Sequence, residues 1–248
     1  MEAWKQNSSV AQQISQWMQE RVDEASAQGI VLGLSGGVDS AVVAGLARRA
    51  VGKNVLGVLM PCHSQPLDAE LAHLAAEAFG IETMTVDLGP VYDTFVAALP
   101  EGSTLARANL KPRLRMATLY YVANARNYLV AGTGNKAELM VGYFTKHGDS
   151  GVDMLPLGDL YKQQVWELAR EIGVPQPIID RPPTAGLWPG QTDEGEIGMT
   201  YVALDAILAA LAEGQEPDAG PDDVAQVRHM IAASAHKRVM PPICQVRS

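Results

Sequence analysis

The residues best suited to chemistry form one run, Ser35-Gly36-Gly37-Val38-Asp39-Ser40. It joins an apolar stretch, Gly29-Ile30-Val31-Leu32-Gly33-Leu34, to a helix-like stretch, Ala41-Val42-Val43-Ala44-Gly45-Leu46-Ala47-Arg48. Strand, glycine turn and helix in that order aim free backbone N–H groups at an anion. The two glycines allow close approach of a phosphate because no Cβ intervenes. Ser35 and Ser40 add hydroxyl donors. Asp39 adds a carboxylate that would repel a phosphate unless a cation lay between them, so Mg²⁺ is implied. The run lacks the lysine of a Walker A loop and does not fit G-x-G-x-x-G.

A second loop, Gly132-Thr133-Gly134-Asn135-Lys136-Ala137-Glu138, follows another apolar run, Tyr128 to Ala131. It satisfies G-x-G-x-x-A, yet the following Tyr143 to Gly151 reads as loop, which argues against a dinucleotide hydride-transfer site. Thr133 fits better as an ATP-contacting hydroxyl and Glu138 as a second magnesium carboxylate. Asp149 and Asp153 sit in a glycine-flanked loop just beyond Lys146, and Lys162 near the start of a helix could reach a phosphate as a point cation. Basic residues gather as Lys111, Arg113 and Arg115, as Lys146 and His147, and as His236, Lys237 and Arg238. Against a net charge of −9, such islands suit a small anionic substrate and argue against nucleic acid.

These groups need a scaffold that brings them together. Strand-like runs at Gly29–Leu34, Val55–Met60, Thr83–Leu88 and Tyr128–Ala131 alternate with helical periodicity at 8–27, Ala41–Ala50, Pro66–Gly80, Val91–Leu99 and Arg107–Asn127. That alternation predicts an α/β fold with a parallel sheet of about five strands and helices on both faces. Parallel strands point one way, so both glycine loops emerge at one sheet edge, where ligands bind in open α/β sheets. Ser8 and Ser9 are cap candidates for the first helix. Further helices are expected at Leu157–Ile172, Met199–Leu211 and Val224–Ala235, and 180–198 reads as a long loop. Residues 186–198, with 146–152, are expected to form a lid.

The 248 residues, 47% hydrophobic and 19% charged, fit one domain spanning 1–248 with a full core. The two cysteines, Cys62 and Cys244, have no metal-ligand spacing. The polar start has no apolar signal region, and no run reaches the ~20 residues of a membrane span, so a cytoplasmic protein without a membrane partner is expected.

The first loop resembles the pyrophosphate loop of the N-type ATP pyrophosphatases. Taken with Asn109–Met116, Gly132–Glu138, Lys146–Asp153, Pro183-Thr184-Ala185, Gln191-Thr192-Asp193-Glu194 and His236-Lys237-Arg238, nearly the whole chain resembles the ammonia-dependent NAD synthetases. The resemblance implies an adenine nucleotide alpha hydrolase-like fold with C-terminal helices. It also implies conversion of deamido-NAD to NAD through an acyl adenylate, with release of AMP and pyrophosphate. Carried over, Gly33, Leu34, Ser35, Gly36, Gly37, Val38, Asp39, Ser40, Thr133, Lys162 and Thr184 would hold ATP. Asp39 and Glu138 would hold Mg²⁺. Arg113, Lys146, Asp153, His236 and Lys237 would contact deamido-NAD. Asp149 would receive a proton from ammonium, and Asp39, Lys162 and Asp149 would be the catalytic groups. The family is homodimeric, with Arg113 expected from the partner and free ammonia as nitrogen donor. Pro112 departs from the family pattern, in which alanine is more usual, and is expected to bend the helix start and shift Arg113.

Overall fold

The computed structural model describes residues 9–188 and 190–246. Ser8, one of the two expected cap residues, lies outside them. Ser9 is the cap, its hydroxyl accepting from the Gln12 amide at 3.2 Å. The chain runs α1 (Val10–Glu24), β1 (Gly29–Gly33), α2 (Val38–Val51), β2 (Val55–Leu59), α3 (Pro66–Phe79), β3 (Glu82–Thr85), α4 (Gly89–Ala98), α5 (Thr104–Ala108), α6 (Leu110–Arg126), β4 (Tyr128–Ala131) and α7 (Lys136–Val141). It continues with α8 (Lys162–Ile172), α9 (Gln176–Ile179), α10 (Asp193–Ile197), α11 (Tyr201–Ala212) and α12 (Pro221–Ala233).

All strand pairings are parallel, in the order β3-β2-β1-β4. Among the described residues four strands form the sheet, where about five were expected. An isolated parallel bridge between Ala131 and Met154 extends the β4 edge by one pairing. The α/β class is as read from the alternation. β1 and β2 are apolar and, Gly33 apart, buried, as a strand with helices on both faces must be. Ile30 and Leu32 face a core built with α1, α2, α3, α8 and α9. Val31, Leu56, Val58 and Val130 face the opposite core with α4 and α6. A third cluster joins α7, α11 and α12 around Tyr201, Leu204 and Val227.

The chain moves outward from β1 to β3 and then returns to the other side of β1 for β4. That reversal opens a crevice beyond the carboxyl ends of β1 and β4. Several boundaries differ from the periodicity, among them β3, which ends at Thr85 where a strand to Leu88 was expected. The expected helix Arg107–Asn127 is two helices meeting at Asn109. A helix running straight through would press the Pro112 ring on the Ala108 carbonyl. Restarting at Leu110 places Pro112 in the first turn, where an N–H has no intrahelical acceptor anyway. Lys162, not Leu157, begins α8, because Tyr161 caps it with a main-chain N–H donated to the Gln164 side chain at 2.8 Å. The long 180–198 loop contains α10, capped by Thr192, whose hydroxyl accepts from Gly195 N at 3.2 Å.

Candidate active site

The first glycine loop is shaped by its own hydroxyls. Ser40 Oγ donates to the Gly37 carbonyl at 2.9 Å and accepts from Ser35 N at 3.3 Å. Ser35 Oγ lies 3.1 Å from Ser40 Oγ and accepts from Gly37 N at 3.2 Å. The two serines therefore hold the turn that was expected to use them as donors to phosphate. Gly36 has φ +77°. A Cβ there would come within 2.5 Å of the Asp68 carbonyl oxygen, so glycine is required for both conformation and space.

The second loop stands beside it because β1 and β4 pair directly, Leu32 against Ala131. Asn135 caps α7 in a reciprocal box: its side chain accepts from Glu138 N at 3.1 Å, and Asn135 N donates to Glu138 Oε2 at 3.0 Å. The fully buried Asn135 side chain also donates to Asp39 Oδ1 at 3.2 Å. One residue thus ties the two expected magnesium carboxylates together, its side-chain amide to Asp39 and its main-chain N–H to Glu138.

Lys162 completes that unit from the first residue of α8. Its side chain is 1% exposed and its ammonium is bonded to Asp39 Oδ2. Burying an unpaired ammonium would cost several kcal/mol. Burial pulls the Lys162 pKa down, but the Asp39 and Glu138 carboxylates more than offset this and hold it above the usual lysine range. Glu138 is pushed up to about 8 by burial and then by the Asp39 charge, against the opposing pull of Lys162 and the Asn135 amide. Tyr201 closes the floor, donating to Asp193 Oδ2 at 3.1 Å and Glu138 Oε1 at 3.4 Å.

A cavity of about 600 Å³ opens above this floor, walled by both glycine loops, the start of α6, the 145–152 loop and the 181–188 segment. All eight residues of Gly33–Ser40 except Gly36 line it, as do Thr133, Glu138, Asp149, Lys162 and Thr184. Thr184 Oγ1 donates to the Gln191 carbonyl at 2.8 Å and accepts from Gly186 N at 3.1 Å. Asp149 Oδ1 accepts from Thr145 N at 2.9 Å. Although Asp149 keeps exposed surface, the surrounding protein raises its carboxyl above the ordinary value, opposed by backbone amides, Lys237 and Arg115.

The five residues expected on deamido-NAD are placed differently. Only Lys237 lines the cavity, with its ammonium donating to Gly142 O and Phe144 O at 2.8 Å each. Arg113 is exposed and donates to the Lys146 carbonyl at 3.3 and 3.4 Å, and Lys146 donates to the His236 carbonyl at 2.9 Å. Asp153 is occupied twice, accepting from Tyr120 Oη at 2.9 Å and Val130 N at 2.8 Å. In the segment expected to form a lid, Leu187 N donates to Gln191 Oε1 at 2.7 Å, and Lys111 Nζ at the start of α6 donates to Leu187 O at 2.8 Å.

Site residues without a role in the sequence reading are Asn135, Asp193, Tyr201, Arg115 and Arg181. Asn135 carried a signal, since Asn-x-x-Glu before an apolar run is a capping-box pattern. Tyr201 looked like any core aromatic.

A family model described as NAD synthase matches residues 10–241. An NH3-dependent NAD+ synthetase from Archaeoglobus fulgidus is 48% identical over 241 residues, covering 96% of this chain and 97% of that one. Among solved structures, NMN synthetase from Francisella tularensis superposes with TM-score 0.89 at 35% identity, covering 96% of this chain and 98% of that chain. The NH3-dependent NAD synthetase from Campylobacter jejuni, in complex with nitrate, gives TM-score 0.83 at 30% identity, with 95% and 98% covered.

Proposed function

The chain belongs to the NAD synthase family, and from that premise we propose how its residues carry out ammonia-dependent NAD synthesis. The observation that carries the reading is the Asp39–Lys162–Glu138 unit at the carboxyl ends of β1 and β4, facing the cavity. ATP binds across Gly33–Ser40, with its phosphates on the glycine loop and with Thr133, Lys162 and Thr184 around it. The nicotinate carboxylate of deamido-NAD attacks the α-phosphorus. The bond to the bridging oxygen breaks, and its electron pair leaves with pyrophosphate. Ammonia then attacks the carbonyl carbon of the acyl adenylate, AMP departs, and the amide remains.

Two carboxylates offer the hard oxygen donors that suit Mg²⁺, which is commonly held by one or two carboxylates and substrate phosphates. Among the described residues no group of three or more His, Cys, Asp or Glu side chains could hold a metal ion, so the nucleotide would complete the ligand set of Asp39 and Glu138. When bound, the ion would neutralise charge on the phosphate oxygens. Lys162 holds Asp39 in place and adds a fixed positive charge where negative charge develops, which is the larger part of phosphoryl-transfer catalysis. Asp149, with its raised carboxyl, takes the proton that ammonium must lose.

Arg113 and the Lys146–His236 pair meet deamido-NAD outside the cavity wall, and a homodimer completes that half of the site with Arg113 from the partner. A mononucleotide acceptor is the second reading, favoured by the likeness to a protein whose name gives NMN as product. The test is incubation with ATP, Mg²⁺, ammonium and either deamido-NAD or nicotinate mononucleotide. NAD and AMP in equal amounts are expected, with the larger kcat/KM for deamido-NAD. ADP as product would refute adenylyl transfer, and a larger kcat/KM for the mononucleotide would establish the second reading.

A further inference from the structure

Arg181 enters the cavity wall at the point where the 180s segment meets the glycine loop. Its guanidinium donates from Nη1 to the Gly36 carbonyl at 3.4 Å and from Nη2 to Asp68 in the first turn of α3. The two side chains are 12% and 21% exposed, so this is not a freely solvated surface pair. A Cβ on Gly36 would stand 3.2 Å from Nη1 and crowd the guanidinium. A guanidinium has five N–H donors in a planar fork suited to phosphate oxygens. Here that fork lies against the carbonyl of the loop on which the phosphates are read to sit.

We propose that Arg181 binds pyrophosphate as it leaves the glycine loop, and that Asp68 is the carboxylate the phosphate oxygens displace. The inference rests on the reading of residues 33–40 as the phosphate loop. Breaking the bond to the α-phosphorus leaves new negative charge on the departing oxygen, and Arg181 is a cation of the cavity lining already bonded to the loop at Gly36. Lys162 serves the reacting centre and Arg181 serves the leaving group. Because Pro182, Pro183 and Thr184 follow directly, occupancy of Arg181 also reaches the segment that closes the cavity.

The test is steady-state NAD formation with added pyrophosphate as product inhibitor, on the full chain and on R181Q, R181K and D68N. Loss of a charge-assisted contact predicts that R181Q raises the pyrophosphate inhibition constant roughly 10- to 100-fold. R181K should recover part of this, and the KM for deamido-NAD should stay within about twofold. D68N removes the internal competitor, so it should tighten pyrophosphate inhibition. A merely structural clamp predicts the opposite pattern, with R181Q and D68N losing thermal stability together and neither moving pyrophosphate inhibition. That pattern, or an unmoved constant in R181Q, overturns the assignment while leaving the reaction intact. If the unaltered chain forms no AMP with its NAD, the reading of the loop fails and takes this inference with it.

Discussion

The cavity floor and the cationic rim outside it are built on different physical plans. The floor is a closed network in which Asp39, Asn135, Lys162, Glu138, Tyr201 and Asp193 satisfy one another. At the rim, Arg113, Lys146 and Lys237 donate to main-chain carbonyls, with no carboxylate partner among these bonds. A floor of this kind is preorganised, with its charges already placed and desolvated. Carbonyl-held cations can exchange those bonds for an anionic ligand at small cost, since each bond is worth about 1 kcal/mol net. On the function proposed above, one chain would hold the ATP half alone and the acceptor half would be assembled on binding.

Breaking the floor should therefore produce the largest effect. Asp39→Asn removes one of the two carboxylates proposed to hold magnesium and the partner of Lys162, so kcat should fall about 100- to 1000-fold, the scale of a lost transition-state electrostatic contact. ATP binding, measured by calorimetry, should weaken far less. Turnover within tenfold of the unaltered chain would defeat the assignment of Asp39.

The rim should respond in KM. Arg113→Ala should raise the deamido-NAD KM roughly 10- to 100-fold, as loss of a charged contact does, and leave the ATP KM near its starting value. Subunit mixing sharpens the comparison. If Arg113 serves the neighbouring site, chains carrying only R113A and chains carrying only D39N should together regain activity that neither has alone. No recovery on mixing, with mixed dimers confirmed by mass spectrometry, would place Arg113 in its own chain's site.

The same contrast explains what could be read from the sequence. Asp39 and Glu138 were legible as neighbours because each sits in the first turn of a helix after a glycine loop, and parallel strands oblige those loops to meet, whereas the bond of Lys162 to Asp39 had no local pattern. The helix break at Asn109 was half legible: Pro112 marked a disturbance, but its Ala108 clash appears only once a helix is assumed on both sides. The rim was not legible as geometry. Arg113, Lys146 and His236 come from elements far apart in sequence, and their mutual bonds are to carbonyls, which carry no residue-type signal. Asp153 was read by motif alone, and its two oxygens accept from Tyr120 Oη and Val130 N. Tyr120→Phe should accordingly cost about 1 kcal/mol of stability, the value of one hydrogen bond. That would lower the melting temperature by about 2–4 °C. A large rise in the deamido-NAD KM in that variant would instead put Asp153 on the substrate.

Asp149 lies between floor and rim, and the smallest effect should be its signature in stability against pH. Enclosure raises its carboxyl in the folded chain, whereas unfolding returns it to about 3.9. The folded state therefore holds this proton more tightly, and the stability it contributes is fully present below about pH 4. It is lost as pH rises through the raised value, because the folded chain must then release a proton that the unfolded chain has already lost. Asp149→Asn keeps an oxygen to accept from Thr145 N but cannot titrate. Relative to the unaltered chain, D149N should gain stability as pH climbs from 4 to 8. Because Asp149 is exposed to solvent, screening keeps the slope well below the one-proton limit of about 1.4 kcal/mol per pH unit. Urea midpoints across that range would show it. A flat difference would mean that Lys237 and Arg115 fully balance the burial, leaving Asp149 an ordinary rim carboxylate and a poor acceptor for the ammonium proton.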